Sequence, residues 1–130
     1  MTAGTTGLTL DTGALLALDH PGKAIVMQAR LDETLRRGGS LCIPVGTIAQ
    51  AWRGSRQARL ARLLKSRDIG IAVMTPNAAR SVGLMCARSG HDDVVDVHVV
   101  LCARERCHAV VTSDPDAMLR IDPSLPVIKA

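Results

Sequence analysis

The sequence predicts an α/β protein with a central parallel sheet of four to five strands and helices on both faces. Three observations predict it. Short apolar runs that suit buried strands alternate with longer segments of helical periodicity. The runs are bounded by Gly, Pro and polar turn residues. Acidic residues fall just past the carboxyl ends of the predicted strands, where open α/β sheets bind ligands.

The elements follow in chain order. Leu8–Thr12 (LTLDT) reads as a strand ending in an acid, Asp11, and Gly13–Leu18 as a helix. His20-Pro21-Gly22 breaks the chain. Lys23–Arg37 carries Ile25, Val26, Ala29, Leu31 and Leu35 at helical spacing, with Arg36 and Arg37 at its basic end and Gly38-Gly39 as its stop. Leu41–Ile43 is a buried strand ended by Pro44, and Val45–Trp52 a helix. Ser55 is placed to cap a basic helix over 56–66. Ile69–Met74 is a third strand. Thr75 caps the next helix, with Pro76 at its first position and an end near Arg88. Asp92 or Asp93 caps a helix from Val94 to about Arg106. His108–Thr112 is a fourth strand, Ser113–Asp116 turns into a last short helix, and Pro126–Ile128 is an edge strand.

Composition narrows the function classes. Of 130 residues, 47% are apolar and 22% charged, which excludes disorder and leaves material for a core. There is one Trp and no Phe or Tyr, so recognition by stacking several bases on aromatic rings is nearly excluded. The net charge of +4 is a mild bias toward polyanions. The cysteines at 42, 86, 102 and 107 lack CxxC spacing, and Cys42, Cys86 and Cys102 lie in apolar runs, so small buried hydrophobes are expected rather than zinc ligands. Residues 1–7 carry no signal-peptide pattern and read as a flexible N-terminus to a single domain spanning 1–130. No stretch is long enough for a membrane span, and a cytoplasmic protein with reduced thiols is expected.

The acids come from three distant segments: Asp11, then Asp92, Asp93 and Asp96, then Asp114 and Asp116. Each has a local alternative. Asp92 and Asp93 suit a helix cap, and Asp114 and Asp116 suit an Asx-type turn. Asp11, set between apolar runs, is harder to account for structurally. A carboxylate cluster repels itself and favours a hard cation, Mg2+ or Mn2+.

The stretches LTLDTGALLAL, DDVVDVHVVLCAR and VTSDPD, in this order, resemble the PIN-domain ribonuclease toxins of the VapC type over essentially Leu8 to Ile128. The resemblance implies a three-layer α/β/α sandwich and a Mg2+- or Mn2+-dependent endoribonuclease, using a carboxylate-held, metal-activated water. It further implies an RNA substrate, a cognate antitoxin and a homodimer. The family's acids fall on Asp11, Asp96 and Asp114, with Asp116 as auxiliary and Asp93 beside them. The position usually held by Glu falls on Gln50, which carries no charge and cannot act as a base. A degenerate domain that binds RNA or a protein without cutting is therefore the alternative.

Thr12, Thr112 and Ser113 flank the acids and are expected to orient carboxylates or to make local turn bonds. Trp52, Arg53, Arg56 and Arg59 are candidate RNA or antitoxin contacts, with Arg62 extending a three-residue repeat. The four histidines show no recognisable relay with the acids, and His98 reads as a packed core residue. A phosphoacceptor receiver domain would need a Lys near its last strand, and the only late Lys is the near-terminal Lys129.

Overall fold

The three inner strands of this chain are buried almost without alternation, as expected where helices cover both faces of a parallel sheet, while the two edge strands are largely open. In the computed structural model, which describes residues 5–130, β1 (Gly7–Leu10) and β4 (Ala109–Thr112) are wholly buried. The other strands are β2 (Ser40–Pro44), β3 (Ile69–Ala72) and β5 (Val127–Lys129). All pairs are parallel and the order is β3-β2-β1-β4-β5. The helices are α1 (Thr12–Ala17), α2 (Ala24–Arg36), α3 (Val45–Ala51), α4 (Ala58–Leu64), α5 (Pro76–Ser89), α6 (Val94–Arg106) and α7 (Pro115–Ile121). The expected α/β/α architecture is therefore present.

The two sides of the sheet carry different cores. Leu8, Leu10, Leu41 and Ile43 join Leu15, Leu18, Leu31 and Leu60 on one side. Val110 meets Val97, Val100, Val82 and Met118 on the other. With no Phe or Tyr, the interior is filled by branched aliphatics, Ala and Met.

The strand order reverses between β1 and β4. The chain builds β2 and β3 outward on one side of β1, then returns to build β4 and β5 on the other. A crevice forms beyond the carboxyl ends of strands at such a reversal. Leu10 pairs with Val111, so the residues that follow, Asp11 and Thr112, are level at that crevice.

Several elements differ from expectation. β1 begins at Gly7 and ends at Leu10; Asp11 is the N-cap of α1 rather than a strand residue. Residues 1–4 of the expected flexible N-terminus lie outside the described residues. β3 stops at Ala72 rather than Met74. On α2 the buried residues are Ala24, Met27 and Leu31, while Ile25 and Val26 are 79% and 61% exposed.

The basic helix is also shorter than expected. α4 starts at Ala58, and Ser55 does not cap it. The Asp19 carboxylate, just past α1, accepts from the backbone N–H groups of Arg59 (3.0 Å) and Leu60 (3.1 Å) instead. This cap comes from another part of the chain and anchors the helix that buries Leu60. Among the described residues no helix is long and apolar enough to cross a membrane.

Candidate active site

Asp11 is the structural centre of the site because it is a buried carboxylate, 6% exposed, at the end of the central strand. Its backbone N–H extends the β1–β4 ladder to the Val111 carbonyl (3.0 Å). Thr112 Oγ1 donates to Asp11 Oδ2 at 2.7 Å and accepts from the Asp114 N–H at 3.0 Å. One buried hydroxyl therefore ties together acids that are about a hundred residues apart in sequence. Thr112 takes the orienting role expected of it.

Asp114 caps α7, accepting from the Ala117 N–H at 3.2 Å, and Asp116 lies exposed in the first turn of that helix. The expected turn geometry and the position at the site thus coexist in Asp114. Ser113 packs against α1 rather than toward an acid. A Cβ on Gly13 would sit 2.8 Å from the Ser113 backbone nitrogen, so the missing side chain lets α1 approach the β4–α7 turn.

The third contribution comes from the start of α6. Asp93, not Asp92, is its N-cap and accepts from the N–H groups of Val95 (3.0 Å) and Asp96 (3.2 Å). Asp96 Oδ2 lies 2.9 Å from His91 Nε2. This pairing corrects the expectation that no histidine engages the acids. His98, by contrast, is buried on α6 as expected, 3% exposed.

Electrostatics link these segments. Burial pushes the Asp11 carboxyl above the ordinary carboxylate range. Hydrogen bonds from Thr112 and the Thr12 backbone offset part of that rise, and the charges of Asp96 and Asp93 add to it. Asp96 is raised as well, by burial first; the His91 hydrogen bond opposes this, and the charges of Asp93 and Asp114 reinforce it. Asp11, Asp93, Asp96 and Asp114 therefore share one electrostatic environment.

Gln50 reaches the mouth of this site. Its side-chain oxygen accepts from Thr12 Oγ1, one residue beyond Asp11, so Thr12 bonds across to α3 rather than within its own turn. α3 and α6 approach closely here, since a Cβ on Gly46 would lie 3.0 Å from Val95 Cγ2.

The basic residues are arranged differently from the expected helical stripe. Only Arg59 and Arg62 lie on α4; Arg53 and Arg56 precede it. The Arg53 guanidinium folds back onto the carbonyls of Ala49 (3.1 Å) and Trp52 (2.7 Å), closing the end of α3. Trp52 is partly exposed beside it, and Arg56 and Arg59 are exposed.

The donor chemistry suits a hard divalent cation: carboxylate oxygens, mutually repelling, at a crevice. The carboxylates are nonetheless turned onto local partners, Asp11 onto Thr112, Asp96 onto His91 and Asp114 onto α7. Among the described residues no three His, Cys, Asp or Glu side chains are grouped so that they could hold a metal ion as they stand. A cation held by these carboxylates would have to keep much of its water, as Mg2+ does. Neither a family model nor a curated protein matches the chain.

Proposed function

We propose that this chain is a Mg2+- or Mn2+-dependent endoribonuclease, the toxin of a toxin–antitoxin pair, with the PIN-type site that its sequence resembles. The observation that carries the reading is the electrostatic coupling of Asp11, Asp96 and Asp114 at the strand reversal. Burying Asp11 among like charges opposes folding, and this cost is understandable where the charges are needed for chemistry.

Asp11, Asp96 and Asp114 would hold the cation, with Asp116 available at the rim. When bound, it would supply an activated water and offset negative charge on the leaving oxygen of a phosphodiester. The protein groups prepare the site. Thr112 fixes one oxygen of Asp11 and leaves the other without that bond. His91 holds Asp96 in place through Nε2, a contact that favours the charged form of that carboxylate. Asp93 raises the negative potential without leaving its capping position. Arg56, Arg59 and Trp52 are exposed groups for an RNA backbone or an antitoxin segment. On this reading the protein acts in the cytoplasm and forms a homodimer.

One observation favours a second reading. Gln50 brings an uncharged amide to the site mouth where the resemblance implies a Glu, which suits a domain that binds RNA or a protein without cutting. A single assay separates the two. Purified protein with RNA and Mg2+ or Mn2+ should cleave, and both Asp11→Asn and excess EDTA should abolish cleavage. Intact RNA with every divalent ion tried, alongside measurable RNA binding, would establish the binding domain instead.

A further inference from the structure

A second cluster, between β2 and α6, takes no part in the acidic site. Cys42, in the middle of β2, and Cys102, on α6, pack together with Ala72, each cysteine only 3% exposed. The two side chains influence each other directly, and the Thr9 hydroxyl, which pairs with His108 Nδ1 at 3.1 Å, lies close to Cys42. On the other side of Cys102, His98 Nε2 lies 3.4 Å from its Sγ. Arg106 lies near enough for its charge to act on both sulfurs.

We propose that Cys42 and Cys102 are a peroxide-responsive pair that closes a disulfide between β2 and α6. The packing of both cysteines into one small buried cluster carries the proposal, because a disulfide needs its partners close together. Access is provided by two clefts. One, of about 400 Å³, reaches Cys42, and another, of about 310 Å³, reaches Cys102; Arg106 borders both.

The chemistry divides between the two sulfurs. The Cys102 thiol, the Arg106 charge and the Thr9 hydroxyl pull the Cys42 thiol below its ordinary range, despite burial. Cys102 is pushed upward by Cys42 and by burial, so it stays protonated. Cys42 is then the attacking thiolate. Its sulfur attacks one oxygen of a hydroperoxide, the O–O bond breaks, and a sulfenic acid forms with release of water or an alcohol. Cys102 next attacks the sulfenic sulfur; the S–S bond forms and hydroxide leaves, taking up the Cys102 proton as water. Burial holds His98 below its ordinary range, and in the tautomer with Nε2 free it can relay that proton. Overall, two thiols are oxidised by two electrons and the peroxide is reduced.

The four cysteines fall on four different tryptic peptides, with Cys42 in 38–53 and Cys102 in 89–104. The native chain is treated with hydrogen peroxide, denatured, alkylated and digested without reductant. The expected result is a linked 38–53/89–104 peptide, a fall from four free thiols to two, and reversal by dithiothreitol. Cys107, which is exposed, serves as the internal comparison. In Cys102→Ala, Cys42 should persist as a sulfenic acid that dimedone labels. Oxidation of Cys107 while both 38–53 and 89–104 remain fully alkylated overturns the proposal. So does a linked peptide that joins any other pair.

Discussion

Replacing Gly13 by Ala tests whether α1 is held against the β4–α7 turn as tightly as the structure places it. Helix propensity alone predicts stabilisation by at most about 1 kcal/mol. Packing predicts the opposite. The added Cβ would lie 2.3 Å from Ser113 Oγ, 2.5 Å from its Cβ and 2.8 Å from its backbone nitrogen. A rotamer change relieves only the first contact. The other two require α1 and the turn to separate by about 1 Å to reach ordinary contact distance. Overpacking of this kind costs about 1–3 kcal/mol, so the net expectation is a loss of about 1–2 kcal/mol. For 130 residues each kcal/mol moves the melting temperature by about 4 °C, giving a fall of about 4–8 °C. Urea and thermal denaturation followed by circular dichroism read this directly. Adding Ser113→Gly to the variant removes the Oγ and Cβ contacts but not the backbone one, so part of the loss should return. A Gly13→Ala protein as stable as the parent, or more stable, refutes the close approach of α1 to the site.

Other outcomes follow from the same contacts. Asp19→Ala removes the acceptor for two N–H groups of α4 and should cost about 1–2 kcal/mol in urea denaturation, with Asp19→Asn intermediate. Leu60→Ala, at a fully buried position, should cost about 2–5 kcal/mol. The pH dependence has a definite sign. Asp11 and Asp96 bind protons more readily in the folded chain than in the unfolded one, so their contribution to stability falls as pH rises from the unfolded value of 3.8 through the raised folded values. Asp11→Asn should therefore be more stable than the parent at pH 7, with the difference vanishing below the unfolded value; a constant difference across that range would contradict the raised Asp11. A cation bound by these acids should stabilise the parent by about 1.4 kcal/mol at ten times its Kd, and Asp11→Asn by much less. Equal Mg2+ responses in the two proteins would remove Asp11 from the binding set.

The inner strands were legible because a parallel sheet buries both their faces, which turns them into short, mostly apolar runs between breakers. Helix faces were less so. In α2, Ala24-Met27-Leu31 and Ile25-Val26-Ala29 are two neighbouring apolar stripes, and periodicity alone cannot choose between them. The sheet accepts the stripe with small Ala24 and leaves Ile25 and Val26 in solvent. The start of α4 was hidden for another reason. Its cap, Asp19, is forty residues away, whereas local rules look for a Ser or Thr at the helix start.

The site divides along the same line. Asp11, Asp96 and Asp114 were readable because topology alone brings the ends of β1 and β4 together, and the start of α6 lies close in charge. His91 was not, because its bond to Asp96 spans the loop before α6 and follows no helical spacing. This omission alters the chemistry of the cluster. Thr112 and His91 each hold one acid in place, so the carboxylates do not need to collapse onto a cation to be ordered. An order imposed by neutral or protonatable donors allows the charges to stay apart until a counter-ion arrives. The net +4 of the chain therefore says little about this crevice, which is locally acidic, while the exposed Arg56, Arg59 and Arg62 carry positive charge elsewhere. For a polyanion to reach the acids, its charge must be offset at the crevice itself, and that requirement is what makes the cation dependence of RNA cleavage the decisive measurement.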